Sequence, residues 1–134
     1  MLGKQILILV NLAIPFSTST AEVGISIPKD ELVEAIIQVE SGGNDSAYNP
    51  KEDAVGCMQI RPIMVREVNR LIGKDSFNLE DRWDRDKSIG MFYVIKSHTK
   101  NPTDEKLARN WNGGWKGYKK KSTLKYWNKV KKEL

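Results

Sequence analysis

The sequence predicts one mainly helical domain with a minor β element at most. Three observations carry this reading. Apolar residues recur at helical spacing in five segments, capping residues or glycines punctuate those segments, and few stretches alternate as a strand would. The expected globular part is residues 22–134. Ahead of it, Lys4, the apolar run Ile6 to Phe16 and the small residues Ser19-Thr20-Ala21 form the pattern of a secretory signal peptide, with cleavage after Ala21. The apolar run is interrupted by Pro15 and Ser17, too soon for a dedicated membrane-spanning helix. An uncleaved anchor is the alternative. Without residues 1–21 the chain has 113 residues with 21 basic and 17 acidic side chains, which is enough for one core and not two.

The first predicted helix runs from Asp30-Glu31 to Glu40. Pro28 suits its start, Leu32, Val33, Ala35, Ile36, Ile37 and Val39 supply its apolar positions, and Gly42-Gly43 ends it. Residues 44–60 read as a loop region, with Asn49-Pro50 as a turn signal and Val55 to Ile60 compatible with extended chain. Pro62 opens a second helix that Gly73 closes after Ile72. Asp84 or Asp86 caps a third, whose Ile89, Phe92, Tyr93, Val94 and Ile95 are dense enough for a central position. Thr103, with Asp104 and Glu105 in the first turn, starts a fourth helix to Trp111 or Asn112. Thr123 starts the last, with Trp127, Val130 and Leu134 along one face.

Glu40 is the residue with the clearest chemistry. It follows Ile36 by four positions and Ile37 by three, so its carboxyl lies on the core-facing side of the first helix. Partial desolvation and the negative end of the helix dipole both disfavour the anion, and a glutamate that keeps its proton near neutral pH is equipped to be a general acid. The alternative is an ordinary polar residue in a fraying last turn. Cys57, the only cysteine, stands between Gly56 and Met58 as a small buried apolar side chain, with no histidine marked as its partner. His98 belongs near the end of a surface helix, and one His with one Cys argues for no metal site and no cofactor.

Four blocks occur in order: Glu40-Ser41-Gly42-Gly43-Asn44, Ala54-Val55-Gly56-Cys57-Met58-Gln59-Ile60, Ala108-Arg109-Asn110-Trp111-Asn112-Gly113-Gly114, and Ser122 to Trp127. In that order and spacing they resemble the soluble-type lytic transglycosylase domain of the lysozyme-like superfamily, over about residues 29 to 130. The resemblance implies a lysozyme-like α+β fold with a short hairpin beside the cleft, and peptidoglycan glycan strands as substrate. It also implies single-acid chemistry. Glu40 protonates the oxygen between N-acetylmuramic acid and N-acetylglucosamine, and the muramic C6 hydroxyl captures C1 as a 1,6-anhydro sugar. Asn49, Met58, Gln59, Asn112 and Tyr126 match, or stand where the family has, substrate-binding residues. Asn49 departs from the family's serine nine residues after the acid, and Ser122 replaces an acidic residue that often precedes the family's threonine. Met58 serves equally as a cleft wall or as core.

Hydrolytic glycosidases use a second carboxylate, and Asp45, Glu52 and Asp53 are the loop residues available for that role. A hydrolytic lysozyme of the same fold is therefore one rival, and a non-catalytic wall-binding module is another. From Trp111 to Lys132, Trp, Tyr and Lys interleave around Lys119-Lys120-Lys121, a mixture also seen in nucleic-acid binders. Export to the periplasm or cell surface argues against nucleic acid and favours attraction to an anionic cell envelope. A monomer is expected.

Overall fold

The structure, a computed structural model, describes residues 29–134. The signal-peptide reading of residues 1–21, and Pro28, lie outside the described residues. Five α-helices and one two-stranded antiparallel sheet make a single mainly helical layer system: α1 (Glu31–Ser41), β1 (Tyr48–Asn49), β2 (Ala54–Val55), α2 (Pro62–Ile72), α3 (Arg85–Ser97), α4 (Asp104–Gly113) and α5 (Leu124–Glu133). Short 3-10 turns at Leu79–Trp83, Gly117–Lys119 and Lys121–Thr123 connect them. Among the described residues, no helix is long and apolar enough to cross a membrane.

Local chemistry sets the helix ends. The Asp30 carboxylate accepts from the Leu32 and Val33 amides at the start of α1, and Gly42 closes that helix in the left-handed conformation. Pro62 occupies the first turn of α2, where its missing N–H costs nothing, and Gly73 ends it. Asp84, of the two candidate aspartates, caps α3 through the Lys87 amide, and Thr103 caps α4 through that of Lys106. Helix α4 runs past Trp111 and Asn112 to Gly113, with Gly114 as its cap.

Ile36, Met58, Ile60, Val68, Met91, Phe92, Ala108 and Val130 form the fully enclosed centre, to which α1, α2, α3, α4 and α5 each contribute. Helix α5 packs on α1 and α4, and α2 packs on α3. Phe92 meets Trp111 edge-on at 5.4 Å between ring centres. Two sequence expectations change. Leu134 lies beyond the end of α5 and is 47% exposed, so the buried stripe of that helix stops at Val130. Tyr93, counted with the central positions of α3, is 41% exposed and donates from its hydroxyl to Asp30 instead.

The hairpin is pinned from below. Tyr48 pairs with Val55 and Asn49 with Ala54. The run Val55 to Ile60 is not one strand. Val55 and Ile60 exchange backbone hydrogen bonds at 3.1 and 3.0 Å across a tight turn at Gly56–Gln59. Gly56 has φ +80, and a Cβ there would lie 2.0 Å from the Arg82 carbonyl oxygen, so only glycine fits. Arg82 is buried, and its guanidinium donates to the carbonyls of Asp53, Ile60 and Leu79. Arg85 donates to the Gly43 carbonyl and pairs with Asp45 at 3.0 Å, tying the start of α3 to the loop after α1.

Candidate active site

Glu40 occupies the last turn of α1, half-buried among the residues that seal the core. Burial pushes its carboxyl up to about 7, against the opposing influences of the Tyr126 hydroxyl, Arg61 and Lys129, while the negative charge of Glu52 adds to the rise. Tyr126, on the first turns of α5, donates to Glu40 Oε1 at 2.8 Å across 86 positions of sequence. Burial, followed by the charge of Glu40, raises the Tyr126 hydroxyl well above its ordinary value, so it remains a donor. The adjacent Trp127 is half-buried on the same helix and packs on the core.

The segment that joins α1 to the hairpin is held by side chains with two jobs each. Ser41 Oγ donates to the Cys57 carbonyl at 2.7 Å and accepts from the Gly43 amide, fixing the loop against the end of α1. Gln59 adopts φ +51, a region that costs energy for a residue with a Cβ, and its carboxamide nitrogen donates to the carbonyls of Ala47 and Gly56. That nitrogen is therefore spent on the hairpin. Met58 is 0% exposed, so its side chain is core and offers a glycan no surface, while its carbonyl accepts from Trp111 Nε1 at 3.3 Å. Asn49 sits in β1, half-buried, and its carboxamide oxygen accepts from the Lys51 amide in the hairpin turn. Asn112 is exposed in the last turn of α4. Asn110, two residues earlier and buried, uses its carboxamide oxygen to accept from the Tyr118 amide, which shapes the following loop.

The three loop carboxylates separate by their partners. Asp45 is paired with Arg85 and Asp53 with Arg82, at 3.0 and 3.5 Å. Glu52, exposed in the hairpin turn, has no ion-pair partner among the described residues, and its charge reaches Glu40. Cys57 is 1% exposed, and burial pushes its thiol up to about 11, the environment of an inert structural cysteine.

Sequence reasoning passed over two parts of this site. Arg61, immediately before α2, is near enough to Glu40 for its charge to be felt there. A cavity of about 290 Å³ lies between α2 and the end of α4, bounded by Arg61, Met64, Trp111 and Trp115 among others. The Pro62 signal marked the helix start without indicating which way the preceding side chain turns. Trp115 Nε1 donates to Glu67 at 2.6 Å from a loop whose course has no local sequence pattern.

A mainly helical domain with a half-buried, high-pKa glutamate at the end of α1, followed in the chain by a short hairpin, fits a lysozyme-like architecture. Residues 25–91 match the family model of the transglycosylase SLT domain, and the chain belongs to that family. Its general function is accordingly that of a transglycosylase or lysozyme-like enzyme acting on peptidoglycan. No curated protein matches the chain. Asn112 and Tyr126 lie beyond the matched segment, and it is the packing of α5 on α1 that brings Tyr126 to the glutamate.

Proposed function

We propose that this protein is a peptidoglycan lytic transglycosylase, exported to the cell envelope, with Glu40 as its single acid and base. The observation that carries the reading is a half-buried Glu40 carboxyl near pKa 7, bonded by Tyr126 and, among the described residues, bonded to no carboxylate. Because Tyr126 donates to Oε1, Oε2 is the oxygen free to carry the acidic proton toward the glycan. That proton goes to the glycosidic oxygen, and the bond from the muramic C1 breaks as the N-acetylglucosamine hydroxyl forms. The C6 hydroxyl of the same muramic residue then bonds to C1 and returns its proton to the Glu40 carboxylate. No water is consumed, and the intramolecular nucleophile takes the place of a second carboxylate by proximity.

Asn112, exposed at the end of α4, is suited to bond an acetamido group, and Asn49 on β1 offers its carboxamide nitrogen as a further polar contact. The hydrolytic alternative has one specific observation in its favour, namely Glu52 and its electrostatic reach to Glu40. Digestion of purified sacculi, borohydride reduction and mass spectrometry separate the two. Non-reducible 1,6-anhydromuramic ends that persist in Glu52→Gln protein are the expected result. Predominantly reducible ends, lost on Glu52→Gln, would make the enzyme a two-carboxylate lysozyme.

A further inference from the structure

Arg61 differs from the other arginines in its partners. Arg70, Arg82, Arg85 and Arg109 each donate to a carboxylate or a backbone carbonyl. Arg66 is exposed to water on α2. Arg61 is half-buried and, among the described residues, has neither a hydrogen bond nor an ion pair from its guanidinium. Its guanidinium keeps contact with water, and a ligand carboxylate is the partner that matches that planar fork of five donors.

The cavity that Arg61 borders has the matching character. Its walls are mainly apolar, with Ile63, Met64, Ile95 and Trp111 supplying the carbon surface. Of its other polar side chains, only the Asn110 carboxamide nitrogen makes no hydrogen bond among the described residues. Glu67 accepts from Arg70 and from Trp115, and the Asn110 carboxamide oxygen accepts from Tyr118. A pyranose turns hydroxyls to every side and needs several uncommitted partners. A chain of methyl and methylene groups that carries a carboxylate needs carbon surface and one cation. Trp111 also ties this cavity to the segment leading from the hairpin, through its bond to the Met58 carbonyl.

We propose that Arg61 is a specificity-determining residue that binds a carboxylate of the peptide stem carried on the muramic lactyl group, while the cavity between α2 and α4 takes the stem's small apolar groups. This rests on the peptidoglycan reading of the site and adds a preference to it, for glycan strands that still bear peptides over strands stripped of them. Amidase-stripped strands keep the lactyl carboxylate directly on the sugar, so they separate that source of negative charge from the stem.

The test compares cleavage of stem-bearing and amidase-stripped strands, counted as bonds broken irrespective of the ends produced. Wild-type protein is expected to favour stem-bearing strands by about tenfold in kcat/KM, chiefly through KM. Arg61→Met should bring the two substrates to within about twofold, and Arg61→Lys should restore part of the preference. Because Arg61 also acts on the Glu40 carboxyl, absolute rates will change in these variants. The ratio is insensitive to that, since both substrates meet the same acid. Unchanged discrimination by Arg61→Met, or none by the wild type, overturns the proposal. A readout without catalysis uses Glu40→Gln protein and the free stem peptide, followed by the fluorescence of Trp111 and Trp115. Saturable binding is expected and should vanish when Arg61→Met is added, whereas no saturation counts against the stem. A hydrolytic product would overturn the single-acid mechanism yet leave both measurements of Arg61 intact.

Discussion

At the scale of single residues, the burial of Glu40 makes stability depend on pH. Its folded carboxyl holds a proton up to about pH 7, whereas the exposed side chain of an unfolded chain releases it near 4.5. Between those values the folded state binds more protons, so the stabilisation from protonated Glu40 is complete below about pH 4.5 and is lost as pH rises through 7. Glu40→Gln should therefore be more stable than wild type at pH 8, by on the order of 1–3 kcal/mol in denaturant titrations. The same variant should lose about 10²–10⁴-fold in turnover of peptidoglycan. A folded Glu40→Gln protein that clears sacculi normally would remove the acid from the mechanism. For wild type the acid must be protonated, so kcat/KM should fall on the alkaline side of about pH 7. Tyr126→Phe removes a bond that lowers the Glu40 value, and its alkaline limb should move to higher pH in the same pH–rate profile. A limb that moves down instead would mean that Tyr126 acts through packing.

At the scale of elements, the hairpin is too short to stand alone, and buried polar side chains hold it against the helices. Arg82 satisfies three backbone carbonyls at once, at 2.7, 2.9 and 3.2 Å. Arg82→Met keeps much of the carbon volume and strands those acceptors, so thermal or urea unfolding should report a loss of about 2–4 kcal/mol. Gln59 performs a smaller version of the same task through Ala47 and Gly56. Gln59→Ala should lower the unfolding midpoint, by about 1 kcal/mol in stability, as well as weaken activity. Normal stability in that variant, with activity reduced, would return Gln59 to a purely substrate-binding role.

At the scale of the molecule, charge is unevenly distributed. Residues 106–132 contain nine lysines and Arg109 with no aspartate or glutamate, although the whole chain carries only +5. Four of these lysines, Lys125, Lys129, Lys131 and Lys132, lie on α5, and the charge of Lys129 reaches Glu40. Exposed lysines in this number, one of them felt at Glu40, favour long-range attraction to an anionic wall. Binding of Glu40→Gln protein to isolated sacculi should weaken steeply between low and physiological salt, as sedimentation assays would report. Salt-independent binding would assign affinity to the cleft alone.

Glu40, the helix caps and the helix-ending glycines were legible in the sequence because their causes are local. Helical spacing decides which face a carboxyl shares, Asp30 and Thr103 bond to amides two or three residues away, and Gly42 and Gly73 stop their helices by backbone conformation alone. The mainly helical class and the family blocks followed from the same short-range signals. Other features depended on contacts between distant segments. Helix α5 had to pack on α1 before Tyr126 met Glu40, and the paired partners of Asp45 and Asp53 had to arrive from around α3 before Glu52 stood apart. Met58 became core, Gln59 a hairpin brace and Arg61 an unpartnered cation at a cavity rim for the same reason. The sequence by itself singled out Glu40 as the candidate acid, through its place on the core-facing side at the end of α1. Only the tertiary structure decided what surrounds that acid, because burial, pairing and cavity walls are properties of neighbours that the chain brings together by folding.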